Sequence, residues 1–219
     1  MSAIFSPIHN LYARLSLLVA VIALPAFLGL LDVYHRSPYV NYTKVPRTQP
    51  VPFSHKHHSN MGIDCRYCHS TIEDSPTGSV PPIKTCMNCH NVLWSEAPIL
   101  ETIRKSWADK QSIEWVRVND LPDFAYFNHS IHVNKGIGCS TCHGRVDQMP
   151  LVWREKPLFM KWCLDCHRDP SQFVRPKDKV FDMAFDPQSQ SQEVRDRLVK
   201  EYGIDHKDLR MTNCSICHR

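Results

Sequence analysis

The chain has 219 residues, ten cysteines, thirteen histidines and a formal net charge of +4. Glycine is scarce at 7 and proline abundant at 16, with aromatic residues at 10%. The small basic excess gives no case for a nucleic-acid partner, because spaced lysines and arginines equally suit carboxylate pairing or a solvated face.

The first signal along the chain is apolar. From Leu15 to Leu31 no residue is charged, and Arg14 and Asp32 bracket the run. Extended to Tyr34, it nears the ~20 residues that span a bilayer. No clean Ala-x-Ala site follows, so residues 1–34 are expected to form an uncleaved transmembrane signal-anchor helix, kinked or loosened at Pro25. Arg14 places the N-terminus on the cytoplasmic side. His9 and His35 flank the span as interfacial residues. Residues 35–52, with Pro38, Pro46, Pro50 and Pro52, read as an extended linker.

Every cysteine then falls in a Cys-x-x-Cys-His pentapeptide. Site 1 is Cys65, Cys68 and His69; site 2 is Cys86, Cys89 and His90; site 3 is Cys139, Cys142 and His143. Site 4 is Cys163, Cys166 and His167, and site 5 is Cys214, Cys217 and His218. This is the c-type haem attachment signature. Two thiols three residues apart add to the vinyl groups of one porphyrin, and the following histidine becomes the proximal iron ligand. A four-cysteine zinc site has no use for those histidines. Iron–sulfur clusters of four cysteines each would strand two. A disulfide framework predicts no adjacent histidines. Five covalent haems follow, at a cost of few residues each. Their faces must supply much of the core of residues 53–219, and their propionates add roughly ten negative charges. The expected fold is a multihaem cytochrome c, mostly irregular, with a few short helices packed around five haems and one N-terminal transmembrane helix.

An internal repeat organises this domain. Phe53-x-His55-x-x-His58 and the Gly62-Ile63-x-Cys65 after it recur, without a gap, as Phe127-x-His129-x-x-His132 and Gly136-Ile137-x-Cys139. The chain therefore reads as two dihaem modules, about 53–92 and 127–170, with a fifth haem at 214–218. Between the modules, Ser95 is placed to cap a helix over about 96–110, with Ile99, Ile103 and Trp107 on one face. Residues 114–118 alternate like a short strand, and 119–123 read as a turn. A second helix is expected from about Gln192 to Tyr202, with Val194 and Leu198 as its stripe and Gly203 as its stop.

The repeated histidines are the candidate distal ligands. Residues three apart can project to the same side of a turn. His55 is assigned to site 1 and His58 to site 2; His129 is assigned to site 3 and His132 to site 4. His57 is a bystander that could exchange with His58. Site 5 has no such element. Its nearest free histidine is His206, followed by Met149, with Met160 and Met211 as further thioether candidates; a methionine ligand would raise that site's potential.

The Phe-x-His-x-x-His elements, with the motifs after them, resemble class III multihaem cytochromes. The wider pattern is similar to the membrane-anchored pentahaem subunit of the alternative complex III family. It comprises Ile4-Phe5-Ser6-Pro7-Ile8-His9-Asn10, the stretch Trp115 to His132, the run from Cys142 through Met149, and Met160-Lys161-Trp162-Cys163. That resemblance implies an iron–sulfur subunit, polytopic quinol-binding membrane subunits and a monohaem cytochrome c or soluble acceptor as partners. Haem c is attached after export, so the domain is expected on the outer, periplasmic face of the inner membrane. The expected role is electron transfer from a quinol-oxidising complex. The alternative is a self-contained multihaem quinol dehydrogenase, for which Asp32, His35 and Lys44 are available near the membrane. A catalytic reductase is disfavoured, since no Cys-x-x-Cys-Lys motif occurs. Denaturing mass spectrometry of the mature chain should return residues 1–219 plus five intact haems, because thioether formation loses no atoms. Free thiols, four haems or a missing N-terminal segment would each contradict it.

Overall fold

A computed structural model describes residues 6–204 and 209–218. The chain forms two units, Met1–Thr43 and Lys44–Arg219. The boundary lies inside the stretch read as linker.

The first unit is dominated by α1, Pro7–Arg36, a 30-residue helix with proline in its first turn. At 1.5 Å per residue it is about 45 Å long, beginning before the uncharged run that opens at Leu15 and ending at Arg36. It is apolar and long enough to cross a membrane, with a mean hydropathy of 2.3 over its best 18-residue window. It runs through Pro25 without a break; proline forfeits one backbone hydrogen bond there, and the remaining ladder holds. Near its C-terminal end Arg36 pairs with Asp32 at 2.9 Å. A single-turn helix, α2, Pro38–Asn41, follows where extended linker was expected.

The second unit is built from short helices. These are α3 His55–Asn60, α4 Cys65–Cys68, α5 Ile83–His90, α6 Glu101–Asp109 and α7 His129–Asn134. They continue as α8 Cys139–His143, α9 Met160–Arg168, α10 Gln192–Glu201 and α11 Cys214–Cys217. Small polar side chains start many of them. Ser54 accepts from His57 N, Asp64 from Arg66 N, Asn128 from Ile131 N, Ser191 from Val194 N and Asn213 from Ser215 N. Each such cap satisfies an amide that the helix leaves unbonded.

Three local expectations change. Residues 114–118 form no strand; Val116 is held by Gln49, whose side-chain amide donates to its carbonyl and accepts from its N–H, both at 2.9 Å. A glutamine thus stands in for a partner strand. Ser95 caps nothing: its carbonyl accepts from Arg104 at 2.7 Å, and the helical turn starts after Ala97. The buried face of this region is Leu100, Ile103 and Ser106, while Ile99 and Trp107 are exposed. The 3-10 turn at Pro98–Leu100 shifts the phase of the helix that follows. By contrast, α10 matches its expectation, with Leu198 and Val199 buried and Gly203 left-handed (φ +59°) just after it.

The apolar packing is divided. Ile137, Val174, Leu198 and Val199 form one cluster, joined by Phe173, Val194, Tyr202 and Ile204. Val51, Leu100 and Ile103 form another, against Ile83, Met87 and Trp115. Arg175 is 1% exposed and ties the first cluster to the third haem motif. It donates to Ser140 and Thr141 hydroxyls and to the Lys179 and Asp182 carbonyls, at 3.1–3.4 Å. Burial lowers its pKa.

The two repeat glycines test this packing. Gly62 and Gly136 share φ +77°, but an added Cβ meets open space at Gly62 and, at Gly136, the Tyr202 ring at 2.6 Å and the Arg175 carbonyl at 2.7 Å. Gly62→Ala should cost only the left-handed penalty, about 1 kcal/mol. Gly136→Ala should cost about 2–3 kcal/mol, strain and clash together. Denaturant unfolding of the two holoprotein variants checks the difference; equal midpoints would contradict it.

Candidate haem-binding sites

All ten cysteines are free of disulfides. Each pair opens a short helix or sits within one, which turns the two thiols toward one side, and the histidine follows at the helix end. Burial raises most of the thiol pKa values, to about 11 at Cys139 and Cys166 and to about 12 at Cys142. Thiols held protonated are poor ligands for a bare metal ion.

The histidines meet in pairs. His58 and His90 have ring centres 6.2 Å apart, His129 and His143 6.3 Å, and His132 and His167 6.0 Å. Two metal–nitrogen bonds of roughly 2 Å plus the half-widths of two rings come to about 6 Å. Each pair joins a repeat histidine to a motif histidine, as the sequence assignment has it. Burial, and to a lesser extent the nearness of His69 and His58, lowers the pKa of His55 to about 4. Burial likewise draws His143 to about 4 and lowers His132. Neutral imidazole is the form that binds a metal.

Backbone carbonyls fix the rings. Among the repeat histidines, Nδ1–H of His58 donates to Ser54 O (2.9 Å), that of His129 to Pro76 O (2.9 Å) and that of His132 to Asn128 O (2.7 Å). Among the motif histidines, His69 donates to Ser79 O (2.8 Å), His90 to Leu93 O (3.1 Å), His167 to Met211 O (2.7 Å) and His218 to Phe124 O (3.1 Å). This bond leaves Nε2 with its lone pair free for iron and sets the ring plane. The residues present therefore fit covalent haem held between two imidazoles.

The phenylalanine of each repeat has a packing role. Phe53 meets His55 edge-on (4.8 Å, 88°) and stacks on His58 (4.5 Å, 26°). Phe127 does the same to His129 (4.7 Å, 88°) and His132 (4.4 Å, 27°). His57 stays on the surface, with Nδ1 3.1 Å from Ser54 Oγ, apart from the paired rings.

Site 5 is held differently. His218 bridges to Ala125, and Tyr126 N donates to Cys217 O at 2.8 Å. His206, its candidate second ligand, lies outside the described residues. Met149 is 1% exposed, and its carbonyl accepts from Lys56 N in α3 at 3.2 Å, so it packs beside the first module's histidine helix. The Met211 carbonyl serves His167, and Met160 is exposed. Sequence reasoning missed Arg175 and the carbonyls of Pro76, Ser79, Phe124 and Met211. The turn residues of Ser75-Pro76-Thr77-Gly78-Ser79 were a signal for a tight bend, though not for its two histidine partners.

Comparison with known proteins also points to multihaem cytochromes c. The model of the class III cytochrome c family matches residues 33–117. A menaquinone reductase multihaem cytochrome c subunit from Nitratidesulfovibrio vulgaris (strain Hildenborough) is 31% identical over 202 residues, covering 90% of this chain and 80% of its own length.

The ring angles give a spectroscopic test. His129 and His143 are nearly parallel (9°), whereas His58 and His90 are steep (72°). Parallel axial rings act on the same iron d orbital and give a rhombic low-spin signal; crossed rings give a strongly axial one. Electron paramagnetic resonance of the oxidised holoprotein should show both. His129→Ala should weaken the rhombic signal, to which His132 and His167 at 33° would also contribute, and His58→Ala the axial one, each adding a high-spin iron, and His57→Ala should change neither. An unchanged spectrum for His129→Ala or His58→Ala would refute that pairing.

Proposed function

The chain belongs to the class III multihaem cytochrome c family, and on that premise we propose that it is the five-haem electron-carrying subunit of a membrane quinol-oxidising complex of the alternative complex III type. Covalent c-type haem supplies the one-electron chemistry. The observation that carries the reading is the facing of His58, His129 and His132 with His90, His143 and His167 across 6.0–6.3 Å. With His55 and His69 assigned together at site 1, four sites would each have two histidines to hold a haem iron. Saturated ligation keeps substrate off the iron, so these residues serve a carrier and not a catalyst.

The chain's own side chains bind, orient and shield. The cysteines would tether each group and the carbonyl-bonded histidines would fix its axis, while Phe53 and Phe127 pack against pairs of rings. The apolar helix α1 supports anchoring in the inner membrane, with the haem domain on the outer side. The partners this implies are an iron–sulfur subunit, polytopic quinol-binding subunits and a monohaem cytochrome c or soluble acceptor.

A second reading has a specific ground. The Nitratidesulfovibrio relative is named as part of a menaquinone reductase. The same carrier set then runs electrons toward a quinone. The ligand arrangement serves both directions.

Purified alone, the holoprotein should exchange electrons with small mediators and should not be reduced by a quinol analogue. Adding the quinol-binding and iron–sulfur subunits should restore reduction. Rapid, inhibitor-sensitive reduction by quinol with this chain alone would favour the self-contained dehydrogenase. Net flow from a low-potential donor to quinone in the reassembled complex, with none in reverse, would favour the reductase direction.

A further inference from the structure

We propose that the five attachment sites are strung in space in the order 2–1–3–4–5, with sites 2 and 5 as the two ends. The proposal rests on the reading that each motif holds a haem between the histidines paired above.

Sites 2 and 1 are neighbours because α3 serves both. His58 faces His90 of site 2, and His55, three residues away, lies beside His69 of site 1. The motifs also touch directly, Asn88 Nδ2 donating to Tyr67 Oη at 3.1 Å. Sites 3 and 4 are joined in the same way by α7, through His129 with His143 and His132 with His167.

Sites 1 and 3 are joined by one loop. Ser79 O accepts from His69 of site 1, and Pro76 O accepts from His129 of site 3, three residues apart in the chain. Two backbone bonds, Ser130 N to Ser75 O (3.2 Å) and His129 N to Pro76 O (3.0 Å), fasten that loop to the start of α7. Sites 4 and 5 meet at the segment before the last motif. Met211 O accepts from His167 of site 4, and Cys214 follows three residues later.

Exposure is independent of all these contacts and gives the same ends. Of the ten cysteines, only Cys89 of site 2 and Cys214 of site 5 are exposed. Spatial order therefore departs from chain order at the first module, where the second motif is pushed outward and the first faces the second module.

Iron-anomalous diffraction from crystals of the full-length holoprotein in detergent tests this. The map should show five irons, each assigned to its motif by the thioether density. The nearest-neighbour pairs should be 2–1, 1–3, 3–4 and 4–5, with sites 2 and 5 farthest apart. Five irons in any other succession, such as site 2 next to site 3, would overturn the order and leave the five-haem reading intact. Fewer than five irons would overturn that reading instead.

Discussion

The second unit is organised around one spacing: paired histidine rings face each other across about 6 Å, the distance at which a haem iron would fit between them. Ordinary side-chain packing drives ring centres closer than this, so the chain has to hold them apart and aligned. It does so with backbone carbonyls on Nδ1 and with phenylalanines against the rings. The cost is a thin protein core. Among the described residues only eleven hydrophobic side chains are buried, in a domain of more than 170 residues. A domain of that size normally closes over far more apolar surface. Porphyrin faces would cover part of the apolar surface left over, which would couple attachment to folding, much as metal binding and folding are coupled in small metal-dependent domains.

Short helices follow from the same demand. A six-residue helix such as α3 or α7 is too short to persist alone in water. Here it needs only to present two histidines three residues apart and to start at a fixed place. Ser54 and Asn128 fix the start by capping, and the same residues' carbonyls receive Nδ1–H of His58 and His132. One residue thus sets both where the helix begins and which way its second histidine points. That economy explains why phenylalanine, both histidines and glycine repeat together in the sequence while the residues around them differ.

The attachment motifs and the candidate ligand histidines were readable from residue spacing because both are side-chain patterns. Cysteine, histidine and phenylalanine at fixed intervals leave a mark in sequence. What holds them does not: a carbonyl is present at every residue, so nothing singled out Ser79 for His69 or Phe124 for His218. Long-range polar substitution was equally silent, as where Gln49 satisfies Val116 in place of a strand. The face of α6 was misplaced because a 3-10 turn at Pro98 changes the angular step from 100° to 120° per residue, and Ile99 falls off the stripe. Arg175 had no neighbouring acid or motif to announce it; its importance lies in four acceptors scattered over residues 140–182.

The two modules repeat in sequence without being equal in structure, and the difference falls at the seam between them. His129 donates Nδ1–H to Pro76 O, whereas the Nδ1 of His55, its counterpart, is buried with no protein partner. On the site 1 side the carbonyl bond falls on the motif histidine instead, Nδ1–H of His69 donating to Ser79 O. The loop that makes this difference, residues 75–79, belongs to the first module in sequence and serves the second in space. By reaching across, it both couples sites 1 and 3 and distinguishes them, which a tandem duplication of identical modules would not do.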